Sequence, residues 1–138
     1  MRDLYNSRTS SILILITILA FSRLIPHPPN FTPLLGMAVF SGVIFDRKIF
    51  AFVVPLVAML LSDLVIGFHS SMPIIYFAIM LNVGVGYLLV SKFSYLKSIL
   101  ALISGAFIFF IVTNFAVWLG SGMYSQDING LISCYIMA

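Results

Sequence analysis

IFAFVVPLVAMLLSDLVIGF, residues 49–68, carries a single charged side chain, Asp63, in a run of otherwise apolar or small residues. A helix needs roughly 20 such residues to cross the hydrocarbon core of a bilayer. The run therefore predicts a membrane-spanning helix with a proline, Pro55, inside it and an acid near one end. Four further apolar runs flank it, at residues 9–25, 31–45, 72–90 and 98–119, and a sixth begins near residue 128. The run at 31–45 is short, about 22 Å as a helix. The sixth is still apolar at Ala138, after about 16 Å of helix, so a truncated span and a C-terminally incomplete chain are expected.

Composition agrees with lipid as the solvent. Of 138 residues, 62% are hydrophobic and only 8% charged, with a mean hydropathy of +1.16. Soluble domains carry about 25% charged residues, and this chain cannot cover a water-facing surface with polar groups. The expectation is an all-α, polytopic transmembrane helical bundle, one domain over residues 1–138, with five complete spans plus a truncated sixth. Membrane lipid is its first partner.

The net charge of +3 does not point to nucleic acid, because the basic residues are scattered without interleaved aromatics. They report orientation instead. Lys and Arg concentrate in short cytoplasmic loops. Arg2, Arg8, Arg47, Lys48, Lys92 and Lys97 fall on one side and Arg23 alone on the other. This places the N-terminus in the cytoplasm and turns residues 23–30, 69–71 and 120–127 outward. The start of the chain also has a signal-peptide reading, since Ala20-Phe21-Ser22 has the small-x-small form of a cleavage site. The apolar run continues through Leu24 and Ile25, which favours a retained helix, and residue 31 starts outside either way.

The unusual chemistry collects on the outward side. Pro26-His27-Pro28-Pro29-Asn30-Phe31-Thr32-Pro33 cannot form a regular helix. It is either a rigid cap over a ligand cavity, with His27 and Asn30 as polar contacts, or a stiff turn. Asp63 lies about five residues, roughly 8 Å, below the outer end of its run. An acid there costs ~2.5–3.5 kcal/mol and needs a partner, a proton or a watery cavity. Arg23 is the one basic residue near its depth, so Asp63 is either a solute ligand or half of a structural pair. Asn114 has the same expected depth, and the two can converge on one cavity; an interhelical hydrogen bond is the plainer account of Asn114. Asn82 reads as interhelical glue. Trp118, Tyr76 and Tyr124 suit an interfacial aromatic belt. Residues 120–124, GSGMY, are a flexible lid or a plain connector, and His69 a solvated loop residue. Ala38-x-x-x-Gly42 and Ala101-x-x-x-Gly105 have the spacing that lets helices approach closely.

Catalytic motifs are missing: no His-Glu-x-x-His, no Gly-x-Ser-x-Gly and no phosphate loop. Two isolated histidines and one cysteine, Cys134, lack metal-ligand spacing and allow no internal disulfide. Neither an enzyme nor a cofactor is expected, and the chain cannot hydrolyse ATP by itself.

The runs PHPPNFTPLLGMAVFSG (26–42), PLVAMLLSDL (55–64), VTNFAVWLGSGMYS (112–125) and GLISCY (130–135) resemble a group of uncharacterised bacterial integral membrane proteins. That group is similar to the substrate-binding S components of energy-coupling-factor vitamin transporters. The resemblance implies six helices, a multi-pass place in the bacterial inner membrane, and a ligand held near the outer face beneath the first, third and fifth loops. It would set His27, Asn30, Asp63, Asn114 and Tyr124 around that ligand. It also implies an ATP-driven energising module as partner. S components often dock on that module through small residues of the first helix, where this chain offers only Ser7-x-x-x-Ser11. Uptake of a small, vitamin-like solute is the function expected; a structural or assembly role without transport is the alternative.

Overall fold

A computed structural model of the chain describes residues 10–11, 14–18, 20–25, 33–45, 47–89 and 94–138. Among these residues there are helices and turns and no strand. Residues 10–11, 14–18 and 20–22 are helical and are labelled α1. After them come α2 (Pro33–Ile44), α3 (Lys48–Ile66), α4 (Met72–Leu89), α5 (Tyr95–Gly120) and α6 (Ile128–Ile136). The helical class expected from hydropathy is present. Three helices, α3, α4 and α5, are long and apolar enough to cross a membrane. Five complete spans are not supported among the described residues. The 12 residues of α2 and the 9 of α6 cover only about 18 and 14 Å. By contrast α5 begins three residues earlier than expected, and its 26 residues reach about 39 Å.

Each of these limits has a local cause. Pro33 opens α2, where its fixed φ suits the first helical position and its missing N–H is not needed. Gly67 ends α3 with φ at 104°, a conformation that side-chain-bearing residues avoid, and its N–H closes on the Asp63 carbonyl at 2.8 Å. Asp127 caps α6 by accepting the Gly130 N–H at 2.7 Å.

Pro55 sits buried inside α3. It has no N–H to give the carbonyl of Ala51, one turn earlier. The Ser41 hydroxyl of α2 donates to that carbonyl instead. In lipid every freed backbone group needs such a substitute, and here the neighbouring helix supplies it.

The bundle is built around α4, which packs on both α2 and α5. Lipid gives no hydrophobic drive for helices to associate, so close packing between small residues has to do so. A methyl group at Gly86 would run into the Val39 carbonyl, and one at Gly42 into the Val83 carbonyl and the Tyr87 amide. At this crossing backbone meets backbone. Gly105 of α5 makes the second notch, filled by Asn82 Oδ1 and Val39. Asn82 is therefore not hydrogen-bonding glue. Its Nδ2 donates back to Ala78 in its own helix at 2.9 Å, and its buried oxygen has no hydrogen-bond partner among the described residues. The core around these contacts includes Leu34, Ala38, Val54, Ala58, Met59, Ile79 and Val83. Buried residues of α5 are confined to Ser98, Ala101 and Gly105, and among helices α2–α6, α6 packs on α5. Large apolar side chains such as Phe107, Ile103 and Leu88 face outward, as a lipid-facing surface requires.

Two predictions follow from these contacts. Gly86→Ala forces the Val39 backbone away and is expected to cost about 1–3 kcal/mol. Gly84→Ala, where nothing lies within 4 Å, should be neutral or slightly stabilising; thermal unfolding of the two variants in detergent checks the contrast. Asp127 is held below the ordinary aspartate range by the Gly130 N–H and the Ser125 hydroxyl. A depressed acid stabilises above its unfolded pKa, and that stability goes as pH falls through the folded one. Protection of the Gly130 amide, taken relative to its intrinsic exchange rate at each pH, should therefore hold above the ordinary aspartate range and fall as pH drops below it, and Asp127→Asn should remove most of that pH dependence.

Candidate functional site

The turn after α1, the end of α3 and the start of α4 meet at one end of the bundle. Asp63 lies three residues before the end of α3 at Ile66, about 4.5 Å of helix, shallower than hydropathy alone suggests. It is completely buried. Arg23 Nη1 pairs with Asp63 Oδ1 at 2.5 Å, and the Tyr76 hydroxyl donates to Oδ2 at 2.9 Å. The same guanidinium nitrogen donates to Ser62 Oγ at 2.5 Å and reaches the Met59 carbonyl at 3.5 Å. Ser62 in turn donates to that carbonyl at 2.8 Å. A five-residue connection, 67–71, returns the chain from α3 to α4, which brings Tyr76 level with Asp63.

The charges cancel within this cluster. Removing an ion pair from water is costly, and it is offset only by close geometry and further hydrogen bonds. Both carboxylate oxygens are engaged, one by Arg23 and one by Tyr76. Beside the cluster runs a groove of about 230 Å³ between α1 and α3. Thr17, Ala20, Phe21 and Leu24 form one wall, and Leu61, Ser62 and Val65 the other. A smaller recess of about 60 Å³ lies around Met37, Ser41 and Phe45.

The other candidate residues stand elsewhere. His27 and Asn30 lie outside the described residues. Asn114 is six residues from the end of α5 at Gly120. Its Nδ2 donates to Phe110 at 2.8 Å, and its carbonyl accepts from Cys134 at 3.4 Å. Among the described residues α3 makes no direct approach to α5, so Asn114 and Asp63 have separate partners. Tyr124 is half-buried in the connector between α5 and α6. That connector is tied down: Trp118 Nε1 donates to the Ser125 carbonyl at 2.9 Å, and Gln126 Nε2 to the Trp118 carbonyl at 2.6 Å. Tyr76 is the member of the Asp63 cluster that the sequence reading assigned only to an aromatic belt. An aromatic at the helix start suits a membrane interface, and only the short α3–α4 connection hinted that it faces Asp63. Among the described residues no cluster of three His, Cys, Asp or Glu side chains is placed to hold a metal ion.

Breaking one side of the pair leaves a buried charge alone. Arg23→Met or Asp63→Leu alone should destabilise the bundle by about 3–5 kcal/mol. The double variant should lose much less than the sum. Unfolding of all three variants in the same detergent measures the coupling.

No curated protein and no solved structure matches the chain. The model of a family of unknown function, DUF6580, matches residues 4–138, nearly the whole sequence, and the chain belongs to that family.

Proposed function

We propose that this is a multi-pass protein of the bacterial cytoplasmic membrane that binds a small, vitamin-like solute in the outer half of its bundle and serves its uptake. The observation that carries the reading is the desolvated Arg23–Asp63–Tyr76 cluster with a groove alongside. Ionisable side chains within spans are expensive and mark solute pathways by default. Charge asymmetry supports the orientation: Arg47 and Lys48 stand at the opposite end of α3 from Asp63, and Lys48 Nζ lies 5.0 Å from the ring centre of Tyr87 at the end of α4. In this proposal the N-terminus is cytoplasmic, α1 and α2 cross with α3–α5, and α6 begins a further crossing. Solute enters beside the 26–33 segment and the 120–127 connector. His27 and Asn30 contact it from the cap, and Asn114 and Tyr124 from α5 and its connector. Asp63, with both oxygens engaged, acts as a fixed wall until Arg23 parts from it. An ATP-driven energising module would supply the movement.

The complete burial of Asp63 favours a second reading, in which the pair only fixes α1 against α3 and the protein has a structural or assembly role. A thermal-shift panel of vitamins and their precursors on the full-length protein separates the two. A solute at a hundredfold excess over its Kd should stabilise by about 2.7 kcal/mol, and Asp63→Asn should abolish that shift while remaining folded. A silent panel, with Asp63→Asn merely less stable, leaves the structural reading.

A further inference from the structure

Helix α5 is held in two different ways along its length. Its buried residues, Ser98, Ala101 and Gly105, all lie in the inner part, where Gly105 is notched onto Asn82 and Val39. None of residues 106–120 is buried. The outer part is fastened instead to the chain that follows it. Trp118 and Gln126 tie the connector to the helix end, and Gly130 packs on the Ser125 carbonyl. Cys134 Sγ donates to the Asn114 carbonyl at 3.4 Å, and the Phe110 and Tyr135 rings stand 5.6 Å apart. Outer α5, the connector and α6 are thus bound into one unit.

Where the two parts meet, three consecutive carbonyls accept a second hydrogen bond. Thr113 Oγ1 donates to Phe109 at 2.8 Å, Asn114 Nδ2 to Phe110 at 2.8 Å and the Tyr135 hydroxyl to Ile111 at 2.7 Å. Each carbonyl also has the amide four residues on, because α5 is continuous. Back-bonding side chains such as Thr113 loosen a helix and bend it. In lipid they matter more, since a freed carbonyl has no water to turn to. If the amides of residues 113–115 draw away, all three carbonyls keep a donor.

We infer that α5 carries a hinge at residues 109–115, on which its outer end, the connector and α6 swing as one body. The inner part stays on α4 through Gly105. Among the described residues α3 makes no direct approach to α5, so the swing leaves the Arg23–Asp63 pair closed. The hinge stands on packing and hydrogen bonds alone and is independent of any bound solute.

Hydrogen exchange of the full chain in lipid nanodiscs tests this, each amide taken relative to its intrinsic rate. Amides 113–115 lie as far from the outer end of α5 as amides 77–79 lie from the start of α4, so depth is matched. Amides 113–115 are expected to exchange roughly tenfold faster. Thr113→Val and Tyr135→Phe each strip one carbonyl of its second donor, so opening becomes costlier. Exchange at amide 113 in the first variant, and at 115 in the second, should slow roughly three- to tenfold. Bonds that merely brace the helix would act the other way, and their loss would leave exchange unchanged or faster. Spin-label distances in a Cys134→Ser background read the motion itself, at exposed positions. The pair Leu60→Cys with Ile136→Cys, on α3 and α6, should give a wider distribution than Leu119→Cys with Ile136→Cys, within the unit. A first distribution no wider than the second overturns the hinge. So does exchange at 113–115 no faster than at 77–79, or exchange that fails to slow in the two variants.

Discussion

Backbone touching backbone at Gly42 and Gly86 is the contact on which the rest of the bundle depends. Helices already immersed in hydrocarbon gain little by hiding apolar side chains from it. What draws them together is dispersion across a close, well-fitted surface, and that requires the absence of side chains at the crossing. Because α2 and α4 meet there, α4 can also receive α5 at Gly105. Each notch is filled by an atom of a neighbouring helix, once by a Val39 carbonyl and once by an Asn82 side chain. The Asn82 oxygen, without a hydrogen-bond partner among the described residues, is the cost of that second fit.

The ion pair solves a different problem. It joins the turn after α1 to α3, and through Tyr76 to α4, at a place where glycine-mediated contact is lacking. Electrostatics in a low-dielectric setting is strong and unforgiving. The cluster therefore ties three helices at one level and resists any rearrangement that separates them singly. A groove next to such a cluster has one wall fixed by charge and another, on the α1 side, made of ordinary apolar packing.

Hydropathy made most of the helices legible, because lipid demands long apolar runs and little else in this composition meets that demand. Its resolution was poorest at helix ends. The run at 31–45 counts Phe45 as part of a span, yet helix α2 stops at Ile44, and α5 absorbs Tyr95, Leu96 and Lys97 ahead of its apolar stretch. Ala38-x-x-x-Gly42 and Ala101-x-x-x-Gly105 mark real contact faces, since all four residues are buried. Their counterpart on α4, Ala78-x-x-x-Asn82-x-x-x-Gly86, was hidden because its middle member is polar. Depth alone named Arg23 as the candidate partner of Asp63, with a solute ligand as the alternative, and the structure shows the pair. The distance between Asp63 and Asn114 did not, since the order of helices around a bundle leaves no trace in the hydropathy of any one of them.

Pro55 has a consequence for how the chain enters the membrane. Its i−4 carbonyl, on Ala51, is answered by a hydroxyl on α2, and an orphaned carbonyl in hydrocarbon costs several kcal/mol. Helix α3 delivered alone to the bilayer would carry that deficit. α2 leaves the ribosome first, too short to be a comfortable lone span, and its Ser41 is the donor that α3 lacks. Each helix thus makes good the other's defect, and biogenesis should favour their partitioning into lipid as one hairpin rather than one after the other.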